Sequence, residues 1–144
     1  MDALYIQITN SHNHSLEYAQ PGDAGMDLRA SANITLEPGE ITPVGTGISM
    51  AIPGGFLGAV VPRSGAASRG LGVANSPGIV DSGYRGEIKV LAHNMSAEPI
   101  SIEAGDRIAQ IVFLPHAHAR ISDNGVPLPP SPRGEGGFGS TGVK

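Results

Sequence analysis

The chemistry in this sequence begins with Asp81 and Tyr84, three residues apart in the segment Asn75-Ser76-Pro77-Gly78-Ile79-Val80-Asp81-Ser82-Gly83-Tyr84-Arg85-Gly86-Glu87. A carboxylate held at the end of an apolar strand, beside a pocket, can orient a water molecule and take its proton. The same side chain can instead bond to the amides of the turn that follows, a common role for Asp. Spacing alone leans towards the turn. A second candidate is Pro62-Arg63-Ser64-Gly65, where a strand gives way to a short helical stretch. Free amides, a hydroxyl and a guanidinium together suit a phosphate, and they equally suit a plain helix cap with a solvated arginine.

Gln110 interrupts the apolar run of Arg107 to Leu114, so it meets either a ligand or neighbouring backbone. Arg133-Gly134-Glu135-Gly136-Gly137-Phe138-Gly139-Ser140-Thr141-Gly142 sets a cation, one aromatic ring and two hydroxyls among glycines. Glycine lets backbone amides approach phosphate closely. No strand precedes this run and no helix follows it, which excludes a P-loop or a dinucleotide-binding turn. The histidine pairs His12/His14 and His116/His118 have the spacing of strand-borne metal ligands but lack a third partner nearby, and are expected at the surface.

The elements that must position these groups are short. Strands are expected at Leu4–Ile8, before Ala30, and at Ile34–Leu36, Glu40–Val44, Gly47–Ile52 and Phe56–Val61. Further strands are expected at Leu71–Ala74, Ile79–Asp81, Glu87–Leu91, Ile100–Ile102 and Arg107–Leu114, with Ile79–Asp81 and Glu87–Leu91 forming a hairpin-like pair. Ser64–Gly70 is the one expected helix, capped by Ser64 and ended by a left-handed Gly70. Residues 122–144 carry no periodic apolar segment, so they either stay disordered or order against a ligand.

Composition agrees with many strands and turns. The 144 residues include 21 glycines and 12 prolines, with thirteen isoleucines and nine valines against nine leucines. β-Branched residues favour pleated sheet. Charged residues are 15% of the chain and there is no cysteine, which excludes helical bundles, disulfide scaffolds and thiolate metal sites. The net charge of −4 argues against a general polyanion binder. No apolar run approaches the length of a membrane span, and the N-terminus lacks the features of a signal peptide. A cytoplasmic location is the expectation.

Taken in order, Pro21–Ala30, Pro62–Gly72, Asn75–Glu87, Gly105–Phe113 and Arg133–Gly142 resemble the five motifs of the trimeric deoxyuridine triphosphate nucleotidohydrolases (dUTPases). The third and fifth are the most specific. The resemblance implies an all-β, jelly-roll-like barrel or sandwich with one short helix. It divides the chain into a barrel domain, residues 1–121, and a flexible arm, residues 122–144, closing over an active site. It implies a homotrimer with sites shared between subunits, no nucleic-acid or membrane partner, and Mg²⁺-dependent hydrolysis of dUTP to dUMP and pyrophosphate. That reaction limits uracil incorporation into DNA and supplies dUMP for dTMP synthesis.

Within that resemblance Asp81 matches the carboxylate that activates the attacking water at the α-phosphorus. Tyr84 matches the ring under the deoxyribose that excludes a 2′-hydroxyl, and Asn75 and Gly78 the positions that read the uracil edge. Ser64, with Arg63 and Gly65, matches the contacts to the α- and β-phosphates. Gln110 matches a phosphate-chain contact. Asp27 matches a carboxylate that reaches Mg²⁺ through its hydration shell, the metal itself being held mainly by substrate phosphates and water. Arg133 matches a γ-phosphate contact, Phe138 a ring stacked on uracil, and Ser140 and Thr141 further phosphate donors. Ala66 departs from the pattern, since leucine is common there, but no polar group is lost. A dCTP deaminase and a noncatalytic nucleotide-binding regulator are the competing readings. Arg63-Ser64-Gly65, the Asp81/Tyr84 pair and Phe138 favour the hydrolase.

Overall fold

Eleven short β-strands and one helix of five residues make up the fold in the computed structural model, which describes residues 2–143. The strands are β1 (Gln7–Asn10), β2 (Gly25–Arg29), β3 (Ile34–Leu36), β4 (Ile41–Gly45), β5 (Ile48–Ala51) and β6 (Phe56–Val61). The helix α1 (Ser64–Ser68) follows, then β7 (Leu71–Val73), β8 (Gly78–Val80), β9 (Lys89–Asn94), β10 (Ile100–Ile102) and β11 (Arg107–Pro115). They pair antiparallel in four groups, β1-β5, β10-β3, β2-β11-β6-β8 and β4-β9-β7. The architecture is all-β, as strand spacing and β-branched content predict, and of the jelly-roll type that the family resemblance implies. Among the described residues no helix is long and apolar enough to cross a membrane.

The core lies between the sheets, and its fully buried side chains include Leu28, Leu36, Ile88, Val90, Ile108 and Ile111. They come from strands with alternating inward positions, such as β9, where Val90, Ala92 and Asn94 face in while Lys89 is exposed. Asn94 is the polar exception, with none of its surface exposed. Its amide donates to the carbonyls of Leu36 (2.9 Å) and Glu98 (2.8 Å), and its Oδ1 accepts from the Ser96 amide and hydroxyl. A buried amide satisfied on both ends fixes the β9–β10 turn against β3.

Three local expectations are corrected. The arms Ile79–Asp81 and Glu87–Leu91 are not a hairpin: β8 pairs with β6, while β9 pairs with β4 and β7. The apolar alternation of each arm was legible, but not which sheet it joins. Ser64 does not cap α1; Arg63 occupies the cap in extended conformation with no side-chain cap bond, and Ser64 opens the first turn. The first strand begins at Gln7 rather than Leu4, where its register against Ala51 starts. Gly70 does follow the helix at φ +92°, as a left-handed terminator should.

Candidate active site

Asp27 on β2 and Gln110 on β11 are cross-strand partners, and Gln110 also faces Val61 on β6. A register shift between Arg107 and Ala109 precedes this row. Such a bulge resets which residues face each other, and here Asp27 and Gln110 end up side by side. Arg63, two residues beyond β6, reaches back so that its Nε donates to Asp27 Oδ1 at 2.7 Å. Arg107 lies 3.7 Å from Asp27 Oδ2 and shares the same carboxylate. Gln110 spends one amide proton on the Pro62 carbonyl at 2.9 Å, so the backbone alternative holds for at least half of its donor capacity. Gly25 leaves room beside it: a Cβ there would meet the Gln110 amide group and displace it from this position.

This cluster therefore presents two guanidiniums, one carboxylate and, next in the chain, the exposed Ser64 and Gly65. The Ser64 hydroxyl has no hydrogen-bond partner among the described residues, so it is available to a ligand. The arrangement is suited to oxyanions: fixed cations, with a carboxylate that holds them in place. Among the described residues no three His, Asp or Glu side chains converge on a metal position. His12 and His14 stand with ring centroids 6.4 Å apart and recruit no carboxylate.

A second cluster surrounds a cavity of about 170 Å³ lined by Asn75, Gly78, Val80, Tyr84 and Glu87, among others. The Asn75 amide lies over Gly78, where a Cβ would sit 3.3 Å from its Nδ2, so only glycine leaves that close approach unstrained. The Tyr84 hydroxyl donates to the Glu87 carbonyl at 3.0 Å, and the ring lies across Gly86, where any Cβ would strike it. The loop between is tied by the Tyr84 amide to the Asp81 carbonyl (3.1 Å) and by Arg85 to the carbonyls of Ser82 (2.7 Å) and Tyr84 (3.0 Å). The Asp81 carboxylate takes no part in this: it is exposed and accepts no hydrogen bond among the described residues. The turn-bonding alternative for Asp81 is thus not the one adopted. A flat ring and an amide lining the cavity, with a free carboxylate one residue past its Val80 wall, suit a flat ligand that carries a polar group at the carboxylate end.

The Asn75–Gly78 side of the cavity borders Val60, at the same end of β6 as Gln110 and Arg63, while β8 carries Asp81 towards the other end. Val80 faces Gly58 and Gly78 faces Val60, which sets Asp81 level with Leu57. Ser64 lies beyond the other end of β6, at the start of α1, so the stretch Leu57–Val61, roughly 13 Å of extended strand, sets Asp81 and Ser64 apart along the strand direction.

The third group stands apart from both. Beyond His116, whose amide donates to the Gly55 carbonyl at 2.9 Å, hydrogen bonds from residues 117–143 stay within that stretch. Arg133 Nε donates to the Gly136 carbonyl at 2.8 Å. Phe138 holds φ at +51° and is 114% exposed, with Ser140 and Thr141 exposed beside it. An aromatic ring left wholly in water at a strained backbone position is a surface awaiting a partner. Sequence reasoning passed over Arg107 and Gly86 as site residues. Arg107 sits in a motif segment but before the bulge that aims it, and nothing in the sequence marks that bulge.

Comparison with known proteins gives these clusters a frame. The dUTPase family model matches residues 11–142. The chain is 50% identical over 128 residues to the deoxyuridine 5′-triphosphate nucleotidohydrolase of Cutibacterium acnes, covering 88% of this chain and 84% of that one. It is 52% identical over 130 residues to the enzyme of the same name from Leifsonia xyli, covering 87% and 83%. Among solved structures, Staphylococcus bacteriophage 80alpha dUTPase with dUpNHpp superposes with a TM-score of 0.88 at 27% identity, covering 96% of this chain and 99% of that one.

Proposed function

This chain belongs to the dUTPase family, and from that premise we propose that it hydrolyses dUTP to dUMP and pyrophosphate at sites shared between three copies. The observation that carries the reading is the cavity bounded by Asn75, Gly78 and Tyr84, with the unpartnered Asp81 just beyond it. Uracil would sit against Asn75 and Gly78, and deoxyribose against the Tyr84 ring. A 2′-hydroxyl pressed onto that ring would lose water without gaining a partner, at a cost of about 1–3 kcal/mol.

Asp81 would orient a water for in-line attack on the α-phosphorus and accept its proton. The new bond is from the water oxygen to phosphorus; the bond that breaks is the one to the α,β-bridging oxygen, which leaves on pyrophosphate. Ser64, Arg63 and Gly65 would receive the charge that builds on the leaving group. Arg133, Ser140 and Thr141 would bring the arm over the phosphates while Phe138 covers the base, excluding water.

The separation of Asp81 from Ser64 within one chain supports assembly from several copies, in which the β8 end of one subunit meets the α1 end of another. The trimer number follows the family. A cytoplasmic location fits a consumer of free nucleotides.

The donor set suits Mg²⁺ brought by the substrate. Mg²⁺ keeps most of its water and takes one or two carboxylates plus phosphate oxygens. Asp27 borders a cavity of about 30 Å³, enough for a water through which its carboxylate would reach the metal's hydration shell. Bound there, the metal would neutralise phosphate charge and fix the triphosphate conformation. The test is pyrophosphate release from dUTP, with and without Mg²⁺, with dCTP in parallel. Release from dUTP alone supports the hydrolase; ammonia from dCTP would support the deaminase instead.

A further inference from the structure

Glu87 lines the cavity but has been given no role in the reaction, and Thr46 lies outside it; together they hold the backbone to which the Tyr84 hydroxyl is bonded. Glu87 Oε1 accepts the Gly47 amide at 3.0 Å. One residue on, the Ile88 carbonyl accepts the Thr46 hydroxyl at 2.7 Å, and the Ile88 amide donates to the Ile48 carbonyl at 2.7 Å. Thr46 is wholly buried, and its Oγ1 also accepts the Ile48 amide at 3.3 Å. Glycines flank it for a reason. A Cβ at Gly45 would press within 3.1 Å of Glu87 Oε1, and Gly47 adopts φ +71°. Gly45-Thr46-Gly47 is therefore a cradle shaped to grip Glu87-Ile88 from one side. On the other side the Glu87 carbonyl accepts the Tyr84 hydroxyl.

We propose that Glu87 and Thr46 are positioning residues that fix the height of the Tyr84 ring, and through it discrimination against a 2′-hydroxyl. The inference rests on the dUTPase reading above. Tyr84 is half exposed, and its ring is tied by the bond at its hydroxyl and the close approach of Gly86. A carbonyl that can drift lets the ring drift with it, and a ring that sinks slightly makes room for one more oxygen. A site that excludes a substrate by shape alone loses selectivity as soon as its wall yields.

The full-length protein carrying Glu87→Ala, Glu87→Gln, Thr46→Val or Thr46→Ser tests this by kcat/KM for dUTP and for UTP. Glu87→Ala and Thr46→Val should lower the dUTP:UTP ratio by about tenfold, while Glu87→Gln and Thr46→Ser, which keep an acceptor and a hydroxyl, stay near wild type. In a Tyr84→Phe background, which lacks the linking hydroxyl, Glu87→Ala should change the ratio no further. An unchanged ratio alongside a lowered melting temperature would overturn the proposal, as would full additivity with Tyr84→Phe. The ¹⁹F resonance of fluorotyrosine at position 84, assigned with Tyr84→Phe, reports the clamp without turnover. Thr46→Val should move that resonance and leave those of Tyr5 and Tyr18 in place. No hydrolysis of dUTP by the wild type would defeat the functional reading, and an unmoved resonance would separately defeat the clamp.

Discussion

Arg63 and Asp27 are joined by a 2.7 Å ion pair that spans two strand positions, from the end of β6 across β11 to β2. Both side chains are mostly shielded from water, with 27% and 16% of their surface exposed. The carboxylate thereby holds the guanidinium where a phosphate can reach it. Asp27→Ala should free Arg63, cost about 1–2 kcal/mol by urea unfolding, and raise KM for dUTP more than it lowers kcat. Asp27→Asn, which can still accept from Nε, should keep the fold and isolate the contribution of the negative charge to Mg²⁺ dependence.

Asp81→Asn removes the proton acceptor but keeps the shape of the rim. Binding of the non-hydrolysable analogue dUpNHpp should be unchanged by calorimetry, while turnover falls by roughly 10²–10⁴-fold. Unchanged turnover would remove Asp81 from the reaction.

Mixed assembly gives a sharper test of shared sites. Ser64→Ala and Asp81→Asn chains, each with low activity, can be unfolded together and refolded at equal amounts. Sites drawn from two copies would recover roughly a quarter of wild-type activity, the random-mixing share. A site contained in one chain would recover none.

Truncation before Arg133 removes residues whose hydrogen bonds are all local, so folding and assembly should survive. Turnover should fall at least ~10²-fold, the scale seen when preorganised oxyanion donors are lost. Size-exclusion chromatography and a pyrophosphate assay on the same sample decide it, and near-normal hydrolysis would refute a role for the arm.

Asn94→Ala would strip partners from the Leu36 and Glu98 carbonyls and the Ser96 amide in the core. Denaturant unfolding should show a loss of about 3 kcal/mol, with kcat unchanged at temperatures where the fold persists.

Much of this was readable from residue order. Phe56–Val61 and Ile100–Ile102 coincide with β6 and β10, because short apolar runs between turn residues have few other solutions. Spacing marked Asp81 and Tyr84 in one segment, whereas Asn75 and Gly78 were legible only through the resemblance of that segment to a family motif. What stayed hidden depends on pairing between distant segments. Nothing near Glu87 indicates that its carboxylate will meet Gly47, forty residues earlier. The assignment of β8 to β6 rather than to β9 is likewise a choice between equally apolar neighbours, made by the closure of the whole barrel.

Because β6 sets Asp81 and Ser64 apart in each chain, a change in one chain is felt at centres it shares with others. In an assembly that pairs unlike ends, each subunit lends its Ser64 to one centre and its Asp81 to another. A chain altered at one end silences one centre, whereas a chain altered at both silences two. In mixtures with wild type, activity should therefore fall in proportion to the fraction of Ser64→Ala chains, but as the square of the wild-type fraction for chains carrying both Ser64→Ala and Asp81→Asn.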